Sequence, residues 1–244
     1  MRNDINALRR TLAQARNVCV LTGAGASAES GIPTFRDDAG IWKNHNPLDL
    51  ATPDAFARDP ETVWAFYRWR RERVLAAAPG TAHAALAAME RRIPQFTLIT
   101  QNVDGLHDLA GSQNIIALHG DLFVSRCVHC GHEEKSRDPD IDPLPRCPDC
   151  GGLLRPGVVW FGEPLRPEIW ESAVRAAFNC QVFLSVGTSA AVQPAASLIL
   201  AAREGGAVTA EINLERAVDD ALLDFAITGK AGEILPRLVP GHDD

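Results

Sequence analysis

Apolar residues Ile5, Leu8, Leu12 and Ala15 recur at helical spacing and predict a helix over about residues 4–16. VCVLT (18–22) follows, a short apolar run with the character of a buried strand, and then GAGASAES. That order of strand, glycine loop and expected helix opens an α/β unit. IPTFRDDAGIWKNHNPLDLATP has no clear period, whereas ETVWAFYRWRRERVLAA (61–77) reads as a helix rich in aromatics and arginine. PGT (79–81) punctuates before a second helix over about 82–92 and the strand FTLIT (96–100). QNVDGLHDLAG reads as a polar loop, and IIAL (115–118) as a short strand ending at His119. After residue 157 the alternation returns: helix 167–178, strand 182–187, helix PAASLILAAREG, strand AVTAEIN, strand DFAITG (224–229), helix AGEILPRL. Strands alternating with helices imply a parallel sheet covered on both faces.

Residues 123–157 break this pattern. They are proline-rich and poor in apolar residues, and cannot form a hydrophobic core alone. The expected fold class is therefore α/β, a parallel sheet with a segment of another kind inserted.

Composition narrows the class without deciding it. Apolar residues are 46% and charged residues 23% of the 244, an ordinary globular balance. A net charge of -7 gives no general attraction to nucleic acid, so no direct binding to it is expected. The N-terminal residues lack a signal-peptide pattern, and no run of 18 apolar residues occurs, so the expected location is cytoplasmic with no membrane association.

Cysteine usage is more specific. Cys127-x2-Cys130 and Cys147-x2-Cys150 stand sixteen residues apart, a spacing suited to tetrahedral zinc. Four thiolates fill the coordination shell, so one structural rather than catalytic zinc per chain is expected, with His129 and His132 as bystanders. A small polar segment that cannot fold by burial can fold on metal. Cys19 and Cys180 lie in or beside apolar runs and read as inert buried thiols.

Gly23, Gly25 and Ala28 match G-x-G-x-x-A directly after a strand, where glycines allow a tight turn and close approach to a pyrophosphate. The acidic residue of an ordinary dehydrogenase fingerprint is missing, since Asp37 and Asp38 come too early. Polar groups cluster after other strands as well: Gln101, Asn102 and Asp104, then His119, then Gly187, Thr188 and Ser189, then Asn213 and Glu215. In open α/β sheets ligands bind beyond these carboxyl ends. His119 is the best acid/base candidate, because its ordinary pKa lies near neutrality. Neither G-x-S-x-G nor G-x-x-x-x-G-K-[ST] is present, which disfavours a serine hydrolase and an ATPase.

GAGASAESGIPTFR (23–36), TQNVDGLHDLAG (100–111), LHGDLF (118–123), the four cysteines, RPGVVWFGE (155–163), VGTSAAVQPA (186–195) and INLE (212–215) together resemble the sirtuin family over nearly the whole chain. The resemblance implies a Rossmann-like parallel-sheet domain, discontinuous over 1–31, 81–122 and 158–244, with a smaller zinc-binding and helical domain inserted, made of the helical insertion 32–80 and the module 123–157. It implies an enzyme that consumes NAD and removes acyl groups from lysines of proteins or peptides. Its products would be free lysine, nicotinamide and O-acyl-ADP-ribose. It implies an NAD site lined by Ala24, Ala28, Phe35 and Arg36, with Gln101, Asn102 and Asp104 around the nicotinamide and its ribose. His119, with Asn102, would be catalytic, the histidine acting as base on the ribose hydroxyls. Gly187, Ser189, Asn213 and Glu215 would hold the adenosine end. Val158, Val159 and Trp160 would pair with the substrate backbone, and Phe161 would sit near the acyl-lysine tunnel. Ala51, Tyr67 and Arg70 match the subclass that removes succinyl and malonyl groups, with acetyl expected as a further substrate. Ala190 replaces the larger residue common in the family. An ADP-ribosyltransferase and a non-catalytic NAD or ADP-ribose sensor remain as alternatives.

Overall fold

The computed structural model describes residues 4–32, 47–138 and 141–241. Helix α1 (Ile5–Gln14) starts where the Asp4 carboxylate accepts from the Ala7 amide at 2.9 Å, and buries Leu8 and Leu12. Strand β1 (Asn17–Thr22) follows. The helix expected after the glycine loop does not form. Two 3-10 turns, Ala24–Ala26 and Ala28–Ser30, take its place, and Gly31 ends them with a left-handed φ of 78°.

Within 32–80 the described residues form three helices where sequence periodicity marks one: α2 (Pro47–Leu50), α3 (Pro53–Arg58) and α4 (Pro60–Leu75). The last two start on proline, and their caps are side-chain oxygens of Thr52 and Asp59. Then come α5 (Thr81–Glu90), β2 (Gln95–Thr100), the single turn α6 (Leu106–Leu109) within the expected polar loop, and β3 (Ile115–Ala117). The cysteine-bearing segment holds β4 (Gly120–Cys127), β5 (Glu133–Lys135) and β6 (Leu154–Val158), an antiparallel sheet in the order β5-β4-β6. The chain closes with α7 (Pro167–Asn179), β7 (Val182–Val186), α8 (Leu198–Glu204), β8 (Val208–Asn213), β9 (Phe225–Thr228) and α9 (Ala231–Leu238).

Six strands form one parallel sheet in the order β3-β2-β1-β7-β8-β9. Counted along the sheet this is the 3-2-1-4-5-6 order of dinucleotide-binding folds, with its switch point between β1 and β7. Strand side chains alternate between faces. Val18, Val20, Leu98, Leu184 and Ile212 join Leu8, Leu12, Leu86 and Leu235 on one side. Leu21, Ile99 and Phe183 pack with Ala173, Leu198 and Ala202 on the other. Cys19 and Cys180 are free and buried as expected, and burial pushes the Cys180 thiol up to about 12. At neutral pH it is not a thiolate nucleophile.

A separate hydrophobic cluster joins the two insertions. Val63, Trp64, Phe66 and Tyr67 of α4 pack with Leu122, Phe123, Leu154, Val158 and Trp160. The zinc-ligand segment thus obtains from α4 the apolar partners it lacks. Buried Arg71 ties the parts further: its Nε donates to the Leu122 carbonyl at 2.7 Å, and its guanidinium lies over Trp64 and Phe123.

Candidate active site

The glycine loop meets β7 at the switch point. Gly23 donates its amide to Val186 O at 3.1 Å, and Gly25 to Gly187 O at 2.9 Å. A Cβ on Gly25 would lie 2.7 Å from the Gly187 Cα, so backbone packs directly on backbone. Gly187 itself needs φ 59°. The loop backbone is therefore held tightly at the carboxyl ends of β1 and β7, the place where a pyrophosphate binds in this fold. Ala24 and Ala28 are exposed on the loop. Phe35, Arg36, Asp37 and Asp38 lie outside the described residues.

Behind the loop is a buried polar relay that sequence reasoning missed. The Gly80 amide donates to His83 Nδ1 at 3.1 Å, which places the imidazole proton on Nε2. His83 Nε2 lies 3.3 Å from Ser27 Oγ, and that hydroxyl donates to Asp104 Oδ2 at 2.8 Å. Asn102 Nδ2 donates to Gly23 O and to Ser27 Oγ, both at 3.0 Å. With both amide hydrogens engaged, Asn102 offers a ligand its carbonyl oxygen. Asp104 is buried and also accepts from the Leu106 amide at 2.9 Å. It works inward, on Ser27 and the loop, rather than as an open rim group. His107 lies 4.7 Å from His83, ring to ring, with Nε2 3.0 Å from Thr22 Oγ1. Burial first, and His83 second, push His107 down to about 3, so it is neutral. The one available sequence signal was His83 standing inside TAHAALAAM, an otherwise apolar helix.

His119 stands where β3 gives way to β4. Its Nδ1 is 3.1 Å from the Gln101 carbonyl oxygen, which only accepts, so Nδ1 carries the proton and Nε2 keeps its lone pair. Burial lowers its pKa below the usual histidine value, and the Gln101 contact opposes this in part. The result is a neutral imidazole whose basic nitrogen faces away from its anchor. Gly120, with φ 81°, pairs with Val158, and a Cβ there would collide with the Gly157 carbonyl. Val159 donates its amide to His119 O at 2.9 Å. Val158, Val159, Trp160 and Phe161 therefore leave β6 directly beside His119. Phe161 is 47% exposed, and its amide donates to Ala51 O at 2.9 Å.

Tyr67 is 1% exposed, and its hydroxyl oxygen accepts from Trp160 Nε1 at 2.9 Å. Half-buried Arg70 lies along the same helical face, its guanidinium carbon 5.5 Å from the Tyr67 ring centre. Arg155 holds the far side of Trp160. Its guanidinium is 3.5 Å over that ring and binds Glu163 through two nitrogens, at 2.5 and 2.9 Å. Glu163 Oε2 also accepts from the Trp160 amide at 2.9 Å. Ala51, Tyr67, Arg70, Trp160 and Phe161, distant in sequence, converge here.

At the other end of the site Asn213 Nδ2 donates to Thr188 O at 2.7 Å, tying the loop after β8 to the loop after β7. Ser189 is half-buried and Glu215 exposed on these loops. Ala190 adopts φ 50°, a left-handed conformation that its Cβ makes unfavourable.

The four cysteines meet as the spacing required. Cys127 and Cys150 sulfurs are 3.5 Å apart, as are those of Cys130 and Cys147, and all four lie within 4.8 Å of one another. Tetrahedral zinc with ligand bonds of about 2.3 Å sets sulfurs about 3.8 Å apart, so the set fits the ion. Gly131 and Gly151 follow each pair with φ of 76° and 71°, the left-handed turns that close the two ligand loops.

The Sir2 family model matches residues 23–194. NAD-dependent protein deacylase 1 of Archaeoglobus fulgidus is 50% identical over 233 residues, 95% of this chain and 95% of that protein. The NAD-dependent protein deacylase of Thermus thermophilus is 51% identical over 236 residues, covering 95% and 92%. A solved Sir2 homolog–NAD complex matches with a TM-score of 0.91 and 49% identity over 96% of this chain and 92% of that one. A Sir2 structure with a deacetylated peptide and 3′-O-acetyl ADP-ribose matches at 0.84 and 32% identity, covering 96% and 97%. Among the described residues no helix is long and apolar enough to cross a membrane.

Proposed function

This chain belongs to the Sir2 family, and from that premise we propose that it is a lysine deacylase favouring succinyl and malonyl over acetyl groups. Its dependence on NAD and its protein deacylase activity follow from relatives of that name at about half identity along nearly the whole chain. NAD supplies the ADP-ribosyl acceptor for the acyl group, with nicotinamide as leaving group. The proposed products are free lysine, nicotinamide and O-acyl-ADP-ribose.

The chain's residues divide this work. Gly23, Ala24, Gly25, Ala28, Phe35 and Arg36 hold the pyrophosphate and nicotinamide side, with Gln101 and Asn102 at the nicotinamide ribose. Asp104 keeps Ser27, and through it Asn102, in place. Gly187, Ser189, Asn213 and Glu215 hold the adenosine end. His119 Nε2 takes the ribose hydroxyl proton, and its bond to Gln101 keeps the ring in the basic tautomer. Val158 and Val159 offer backbone to an extended substrate, whose lysine passes Phe161. A positioned base tells against a sensor without turnover.

The observation that carries the acyl preference is the pairing of Tyr67 with Arg70 on one face of α4, near Phe161 and Ala51. A phenol and a guanidinium grip a carboxylate, the guanidinium through its forked donors. An acetyl group has no carboxylate for this pair of donors to grip, so it gains none of that binding. Matched succinyl-lysine and acetyl-lysine peptides are expected to give the higher kcat/KM for succinyl. Arg70→Met is expected to lower the succinyl-to-acetyl ratio at least about tenfold, or roughly 1.4 kcal/mol. A wild type that strongly prefers acetyl, or an equal loss on both peptides, defeats the proposal.

A further inference from the structure

Trp160 has a feature that backbone pairing with substrate does not use. Its indole N–H is spent on Tyr67, at 2.9 Å, in a contact buried from solvent. Its position is set from several sides. Arg155 stacks over the ring at 3.5 Å, Phe56 packs at 5.4 Å, and Glu163 receives the Trp160 amide. The ring therefore has little freedom to withdraw from the phenol.

The consequence lies in hydrogen-bond accounting. A phenol has one hydrogen to give and an oxygen that accepts. Indole N–H only donates, so the Tyr67 oxygen must be the acceptor toward Trp160. The Arg70 guanidinium, its carbon 5.5 Å from the Tyr67 ring centre, is likewise a group that only donates. Both neighbours are donor-only groups, the indole already bonded to the oxygen, and neither can receive the phenolic hydrogen. Burial raises the Tyr67 pKa, so the hydrogen stays on the oxygen across the physiological range.

We propose that Trp160 is a specificity-determining positioning residue: by donating to the Tyr67 oxygen, it commits the Tyr67 hydroxyl to act as a donor into the acyl pocket. The inference rests on the reading of Tyr67 and Arg70 as an acyl-carboxylate site. A donor-only phenol is satisfied by an acyl group ending in a carboxylate. A terminal methyl leaves its hydrogen unpaired in a buried site, which is unfavourable. Selectivity is thus built into the polarity of the hydroxyl as well as into the charge of Arg70.

The test is a double-mutant cycle on the full-length, zinc-loaded protein, read as the succinyl-to-acetyl ratio of kcat/KM. Trp160→Phe removes the donor and keeps an aromatic ring. It is expected to lower the ratio by about fivefold, the scale of one net hydrogen bond, mainly through a higher KM for the succinyl peptide. Tyr67→Phe is expected to lower it at least as far. In the Tyr67→Phe background, Trp160→Phe should lower it no further, because its partner is gone. An equal loss on both peptides, or an undiminished effect in the Tyr67→Phe background, would make Trp160 a packing residue and overturn the proposal. If Arg70→Met collapses the ratio while Trp160→Phe does not, the carboxylate site stands and the role of Trp160 falls. If none of the three variants changes the ratio, the carboxylate site falls as well. Should Trp160→Phe fail to fold, benzothienylalanine at position 160 replaces N–H by sulfur in the same bicyclic shape. The same loss of ratio is then expected, and a wild-type ratio refutes the proposal.

Discussion

His119→Ala is expected to lower deacylation kcat/KM by about 10²–10⁴-fold on acetyl and succinyl peptides alike, the range of general-base catalysis. The fold should survive. The substitution removes one side-chain hydrogen bond, from Nδ1 to Gln101 O, worth about 1 kcal/mol, whereas the His119 backbone carbonyl still accepts from Val159. Thermal melting should therefore shift by only a few degrees while turnover collapses. Activity within about threefold of wild type would refute the base assignment. The pH dependence offers a second check with a defined sign. Burial disfavours the imidazolium, so the base form persists below the ordinary histidine pKa of about 6.5. The acid limb of the wild-type profile should lie on the acid side of that value and disappear in His119→Ala.

The doubly wound sheet was legible because its signals are local and redundant. VCVLT, FTLIT and VFLSV are buried on both faces, so each reads as a continuous apolar run without help from distant residues. The cysteine pairs were legible because ligand spacing is itself local. The turn after the glycine loop was not. Nothing in GAGASAES forbids a helix, but Ser27 gives its hydroxyl to Asp104, and this tertiary bond favours two short turns. Helices α2 and α3 escaped because they are too short to show a period, although Thr52-Pro53 carried a start signal for α3. Strand β4 was hidden for another reason. Its apolar Leu122 and Phe123 are covered by α4, about 50 residues earlier in sequence, so the segment on its own lacks a core. The same holds for the site. His119 stood at a strand end and could be singled out as a candidate, whereas its contact with the Gln101 carbonyl could not be read from the chain. The contact between Trp160 and Tyr67 spans 93 residues, and no pattern along the chain announces it.

Cys147→Ser is expected to remove the bound zinc and unfold or aggregate the small part of the molecule, with loss of deacylase activity. Purified wild type should contain one zinc per chain. The energetic scale is large, since structural zinc binding is folding free energy of about 10–16 kcal/mol in zinc-finger peptides. Cys147 and Cys127 are the buried pair of the four, and both belong to the same apolar cluster as Trp64, Phe66, Tyr67 and Trp160. Their loops are short and each closes through a left-handed glycine, so without the ion little holds four thiolates together against their mutual repulsion. Loss of order in β4 and β6 would not stop at the metal. Arg71 of α4 gives its Nε to Leu122 O, and Trp64 Nε1 donates to Leu154 O at 2.9 Å. Breaking these bonds would strand a buried guanidinium and an indole N–H without partners, a cost that adds to the missing metal. The large sheet has its own two cores and shares none of these residues. Limited proteolysis of Cys147→Ser should therefore cut first within the segments around α4 and β4–β6. Chelation of wild-type zinc should reproduce that pattern, and metal restoration should reverse it. Substoichiometric zinc together with full activity and an unchanged melting curve would overturn the structural role of the ion.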